Sequence, residues 1–166
     1  MRAVCHRIVS NSADADDATQ MALISIVRAL PSFDRRSKFS TWVYRIATNA
    51  ALDEIRRTRR RAIPADHDTI DAVSDADIHD PIGAVEAQMD VSSALARLPE
   101  EFRTAVVLRH VADLEYEEIA VALEIPVGTV RSRLARGRAQ LAEILGNSGG
   151  RPERQTHAED QEGGPT

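Results

Sequence analysis

Guanidinium groups stand closely spaced at two places in this chain, although its 166 residues carry a formal net charge of -5. The stretch DEIRRTRRR puts five arginines into the six positions from Arg56 to Arg61, and VRSRLARGR carries Arg131, Arg133, Arg136 and Arg138. Guanidinium in such density is suited to pairing with a row of anions, because its planar fork matches carboxylate and phosphate geometry. A helix end needs only one or two cations to balance its dipole. A run of five therefore points to an anionic polymer, of which a nucleic-acid backbone is the commonest.

Other chemistry has less to draw on. His6, His67, His79, His110 and His157 are scattered, and no convergent set of carboxylates or histidines accompanies them. Cys5 is the only cysteine, which excludes an intrachain disulfide and a multi-cysteine zinc site. Asp14 and Asp16 lack the glycine and downstream glutamate of a calcium loop. The expectation is no catalytic residue, no metal and no cofactor. No apolar run reaches the ~18 residues of a membrane span, and the N-terminus lacks a secretory signal. A cytoplasmic protein without membrane insertion is expected.

Charge divides the chain into segments. Residues 1–62 hold 12 Lys and Arg against 6 Asp and Glu, whereas residues 63–96 hold 8 acids and no Lys or Arg. PADHDTIDAVSDADIHDP, from Pro64 to Pro81, shows no apolar period and repels itself, which predicts a flexible acidic linker. The tail from Gly146 is rich in Gly, Pro and polar residues and is expected to be disordered. Two ordered blocks remain, with no internal repeat between them.

Both blocks read as helical. In FSTWVYRIATNAALDEIRR, residues Phe39, Trp42, Val43, Ile46, Ala47 and Ala50 recur as one buried helix face, with Ser40 placed to cap the start. Upstream, Ala18, Met21, Ala22, Ile24 and Val27 form a second inward stripe, and Pro31 with its polar neighbours breaks the chain between the two helices. The arginine run then falls at the C-terminal end of the long helix.

In the second block, LEYEEIAVALEIPVGTVRSRLARGRAQL reads as a helix-turn-helix. A helix from Glu115 to Leu123 turns Ile119, Ala120 and Leu123 inward; Ile125 and Pro126 make the turn; a helix from Thr129 turns Val130, Leu134 and Leu141 inward. Acids sit on the first helix and arginines on the second, as entry into a DNA groove requires. VSSALARL and EEFRTAVVLRHV add Leu95, Leu98, Phe102, Val106 and Val107 as support.

In order and spacing, DADDATQMAL, FSTWVYRIATNAALDEIRR and LPEEFRTAVVLRHVADLEYEEIAVALEIPVGTVRSRLARGRAQL resemble the compact extracytoplasmic-function (ECF) group of bacterial RNA polymerase sigma factors, in the sigma-70 family. The resemblance implies an all-α fold of two small helical domains joined by the acidic linker. Region 2 would occupy residues 1–62, the linker 63–83, the region 4 helix-turn-helix 84–145 and the tail 146–166. Family members usually begin some twenty or more residues earlier, so region 2 is expected to be N-terminally short.

The implied function is to bind core RNA polymerase and direct promoter-specific initiation. By resemblance Asp14, Asp16, Asp17 and Gln20 dock on the β′ clamp helices, and the β flap and an anti-sigma factor are further partners. The −10 element, with a base flipped out of the stack, falls to Phe33, Arg35, Arg36, Ser37, Lys38, Asn49, Arg56, Arg57, Arg59, Arg60 and Arg61. Trp42 is assigned to the core rather than to stacking. The −35 element falls to Thr129, Arg131, Ser132, Arg133, Ala135 and Arg136. Spacing puts Arg131, Ser132, Ala135 and Arg136 on one helix side, with Arg133 and Arg138 beside it toward phosphates. The alternative is a free-standing helix-turn-helix regulator, which would leave residues 14–61 without a task.

Overall fold

The computed structural model describes residues 1–62 and 91–148. The elements are α1 (Arg2–Ile8), α2 (Ser12–Ala29), a 3-10 turn (Leu30–Ser32), α3 (Phe39–Ala62), α4 (residues 91–96), α5 (Glu100–His110), α6 (Tyr116–Leu123) and α7 (Val127–Ser148). Among the described residues no helix is long and apolar enough to cross a membrane. The linker expected at 63–83 and the tail beyond Ser148 lie outside the described residues.

Asn11 starts α2 by accepting the Ala13 and Asp14 N–H groups on its side chain. That satisfies two donors a helix start leaves open. Helix α2 then packs on α3, and the fully buried apolar residues of the two are alanines: Ala15, Ala18 and Ala22 on one, Ala47 and Ala51 on the other. This overturns part of the expected stripe, because Met21, Ile24 and Val27 are exposed, Val27 by 70%. Small side chains let two helix axes approach closely, and the bulky residues are left outside. Phe39, expected inside, is half exposed, and Ser40 lies within the first turn of α3 rather than capping it. Helix α1 closes this half with Val4, Cys5 and Ile8 buried. Burial pushes the Cys5 thiol up, so it behaves as a small apolar group.

In the other half α5 is the central helix, with every residue from Phe102 to Leu108 buried. Helices α6 and α7 pack on it and on each other through Ile119, Val130 and Leu134. The α5–α7 contact is tight: a Cβ added at Gly137 would sit 2.8 Å from Val106 Cγ2 and 3.3 Å from Phe102 Cβ. Only a residue without a side chain fits there. Glu115, a poor cap by type, is rescued by a capping box in which Glu118 Oε2 accepts the Glu115 N–H at 2.9 Å. The turn after α6 places Glu124 in the left-handed region at φ 55°. Helix α7 begins at Val127, two residues before the expected start at Thr129, and runs past the expected boundary at 145.

The halves also meet. Helix α3 packs on α6 and α1 on α5, and their buried apolar residues belong to one continuous core.

Candidate nucleic-acid interface

On α7 the buried Val130 and Leu134 fix the helix rotation, which turns Arg131, Ser132, Ala135 and Arg136 outward as one exposed face. Arg131 and Arg136 make no ion pair among the described residues. Ser132 Oγ donates to Thr129 O at 2.9 Å, and the partly buried Thr129 sits in the first turn, its N–H on Pro126 O. Arg133 lies to the side, its Nη2 donating to Glu101 Oε2 at 3.2 Å. Arg138 Nε donates to His110 Nε2 at 3.3 Å. Partial burial lowers the His110 pKa below the ordinary imidazole value, and the charges of Arg138 and Arg109 add to this. A neutral imidazole is what Arg138 needs as an acceptor.

The run at the end of α3 is less free than its sequence suggests. Arg56 pairs with Asp53 at 2.9 Å, Arg57 with Glu54 at 2.7 Å and with Asp17 at 3.6 Å, and Arg59 with Glu100 at 3.1 Å. Arg60 Nε folds back along its own helix and donates to Arg56 O at 3.3 Å. Arg61 makes no ion pair among the described residues. The buried Glu54 and the charges of Asp17 and Asp14 raise the Arg57 pKa further, so this guanidinium staples α3 to α2.

The acids of α2 are engaged in the same way. Asp14 accepts from Thr58 Oγ1 at 3.1 Å, and Asp16 lies 2.9 Å from His6 Nε2 and 3.2 Å from Arg2 Nη2. The His6 hydrogen bond, followed by those of Arg2, holds the Asp16 carboxyl below its usual value. Of the four candidate docking residues, Gln20 alone is exposed without such a tie among the described residues. The large unsatisfied feature of this helix is apolar: Met21, Leu23, Ile24 and Val27, with Leu30 beyond, stand exposed. Sequence reading missed that surface by assigning three of these residues to the core.

Between α2 and α3 the loop is shaped by Asp34, whose carboxylate accepts the Arg36 N–H and pairs with the Arg36 guanidinium, both at 3.1 Å. Arg35 takes φ 60°. Ser37 is half-buried, and Lys38 reaches across to Glu118 Oε1 at 3.0 Å. Three aromatic rings back the loop: Phe33 lies 5.1 Å from Trp42, and Phe39 stacks on Trp42 at 5.6 Å and 29°. Trp42 is the buried member, as expected, while Phe39 offers the open ring. Asn49 is exposed on α3. No group of three His, Cys, Asp or Glu among the described residues could hold a metal ion.

The arrangement is thus a groove-sized helix with a free polar and cationic face, and a loop that combines cations with an exposed aromatic ring. Family models agree in both halves: Sigma-70 region 2 matches residues 1–61, and Sigma-70, region 4 matches residues 88–141. The chain is 40% identical over 149 residues to the ECF RNA polymerase sigma factor SigE of Mycolicibacterium smegmatis, a match covering 86% of this chain and 56% of that protein. It is 34% identical over 151 residues to the ECF RNA polymerase sigma factor SigW of Bacillus subtilis, covering 86% and 81%. Among solved structures it resembles the sigma factor RpoE of Bartonella quintana, in complex with the anti-sigma factor NepR, with a TM-score of 0.72, 28% identity and coverage of 87% and 89%. By these matches the chain belongs to the ECF group of the sigma-70 family of RNA polymerase sigma factors.

Proposed function

We propose that the chain works as an alternative-type sigma factor, which binds core RNA polymerase and directs promoter-specific initiation of transcription. The observation that carries this reading is the outward face Arg131, Ser132, Ala135 and Arg136 on α7, in a chain whose other half matches Sigma-70 region 2. Arginine pairs bidentately with guanine in the major groove, which fits α7 to the −35 element. The −10 element falls to the loop from Phe33 to Lys38 with Asn49 and the arginines that end α3. There the open Phe39 ring is suited to stacking on an unpaired base.

In domain terms, residues 1–62 serve as region 2, 63–83 as linker, 84–145 as region 4 and 146–166 as tail. Core polymerase is held through the β′ clamp helices by α2 and through the β flap by the second domain. The exposed apolar residues of α2 support a protein partner there. Gln20 belongs to the contact itself, whereas Asp14, Asp16 and Asp17 set the helix in place for it. The likeness to a sigma factor solved with NepR supports an anti-sigma factor as a further partner. The chain performs no catalysis of its own and acts in the cytoplasm.

Run-off transcription with core polymerase and a genomic promoter library tests this reading. Sequence-selective initiation that needs both the chain and the core enzyme is the expected result. Selective binding to two-fold symmetric sites without polymerase, and no stimulated initiation, would replace it with a free-standing regulator.

A further inference from the structure

The two arginines that flank the outward face of α7 have unlike partners. Arg133 Nη2 donates to a carboxylate, Glu101 Oε2 at 3.2 Å, whereas Arg138 Nε donates to an imidazole, His110 Nε2 at 3.3 Å. Arginine offers donors only, so this ring nitrogen is an unprotonated acceptor and His110 is neutral. His110 and Arg138 are both exposed. The charges that act on the ring are positive: Arg138 from α7 and Arg109 from its own helix. Asp113 and Glu115, the acids of the loop that follows, are drawn to Arg109 Nη1, each at 3.4 Å. On α6, Glu118 is turned to Lys38, and the chain after α1 meets α5 nearer its start, where Arg103 holds Ser10.

We propose that His110 and Arg138 together form a proton-linked seat for one DNA backbone phosphate at the edge of the −35 element, with His110 taking up a proton as the phosphate arrives. The inference rests on the −35 assignment given under the proposed function. A helix in the major groove has a phosphate wall on either side, and Arg138 stands beside the reading face, two positions beyond Arg136. While the imidazole is neutral it holds the Arg138 Nε–H for itself. Once protonated, Nε2 becomes a donor, and two donors that now lie 3.3 Å apart turn to the oxygens of one phosphate. The phosphate brings the negative charge that the ring lacks in the free chain, where burial and the two arginines keep it neutral. The proton comes from solvent and returns there when DNA leaves, so binding and protonation are linked. The sign follows: affinity rises as pH falls toward the free-chain pKa of His110 and levels off below it, where the ring is charged before DNA arrives. Arg133 has no such option, because a phosphate that displaces Glu101 is left beside a carboxylate.

The test uses the full chain assembled with core polymerase and a rhodamine-labelled promoter duplex, whose anisotropy gives the affinity from about pH 8 to about pH 6, the span in which an imidazole titrates. The parent is expected to bind about five-fold tighter at the lower pH, and His110→Gln to lose that gain. His110→Lys, which carries its charge throughout, should bind at the higher pH about as tightly as the parent does at the lower, with a flat profile. A pH gain that survives in His110→Gln, weaker binding by the parent at low pH, or a lysine variant no tighter than the glutamine one would each overturn the seat. Arg131→Ala with Arg136→Ala separates this from the assignment beneath it. If that double variant binds weakly while the parent and His110→Gln profiles run parallel, the seat fails alone. If the double variant binds like the parent, the −35 assignment fails and the seat with it.

Discussion

Glu118 divides its carboxylate between two tasks, with Oε2 accepting the Glu115 N–H at 2.9 Å and Oε1 lying 3.0 Å from Lys38 Nζ in the other half of the molecule. The residue that starts the first helix of the helix-turn-helix is thereby also its contact with the loop before α3. Replacing Glu118 with Ala removes both and should cost about 1–2 kcal/mol in denaturant unfolding, the range for lost caps. Glu118→Gln should cost less than about 1 kcal/mol, because the capping bond survives and only an ion pair with an exposed partner is lost. Equal losses for the two variants would show that charge, not capping, dominates.

His110 gives a pH dependence whose sign is fixed by its surroundings. Partial burial first, then Arg138 and Arg109, hold its pKa below the unfolded value, which is about 6.5. The fold therefore binds this proton less readily than the unfolded chain. The resulting stability is fully present above the unfolded pKa and is lost as pH falls through the folded one. Unfolding midpoints taken from neutral pH downward should fall more steeply for the parent than for His110→Gln; parallel curves would contradict the assignment.

Gly137 should not tolerate alanine. The helix propensity gained is about 1 kcal/mol, but the new Cβ would meet Val106 Cγ2 at 2.8 Å and Phe102 Cβ at 3.3 Å. Overpacking of this kind costs about 1–3 kcal/mol, so Gly137→Ala should be net destabilising. Thermal unfolding should show partial rescue when Val106→Ala is added, and additive losses would rule the clash out.

Promoter selection should separate the arginines of α7. Arg131→Ala or Arg136→Ala removes a side chain whose bidentate pairing with guanine discriminates by about 1–3 kcal/mol, and selected −35 elements should relax at one or two adjacent base pairs. Arg133→Ala, whose side chain is drawn toward Glu101, should lower affinity while leaving the consensus alone. Recovery of the parent consensus by all three variants would remove base reading from this face.

The arginine run should split by partner. Arg61→Ala is expected to flatten the salt dependence of promoter binding by roughly one unit of slope with the fold intact. Arg57→Ala unpairs the buried Glu54 and should lower the unfolding midpoint instead. Two variants with the same salt slope and the same midpoint would dissolve the distinction.

How far these features could be read in advance depends on the range of the forces that set them. Helices α5 to α7 and the buried Val130, Leu134, Phe102 and Val107 follow from local periodicity, which a sequence displays directly. The outward face of α7 follows from the same spacing. By contrast, Met21, Ile24 and Val27 carry the strongest apolar signal of α2 yet stand outside, because helix separation is set by Ala15, Ala18 and Ala22 against Ala47 and Ala51. Hydrophobicity alone ranks the wrong side. The pairing of Arg59 with Glu100 and of Asp17 with Arg57 joins residues far apart in the chain, so no local pattern could show which members of the run remain free.

The ring cluster behind the loop gives the molecule an optical property. Trp42 is the only tryptophan in the chain, and it sits beneath Phe39 and beside Phe33. Its emission therefore reports one place, the wall of the loop from Phe33 to Lys38, with no background from other indoles. A nucleobase stacked on Phe39, or a shift of the loop when Lys38 lets go of Glu118, alters the packing around that indole and quenches or shifts its fluorescence. The unlabelled wild-type chain carries its own probe of loop occupancy, readable in a stopped-flow cuvette when the chain is mixed with promoter DNA.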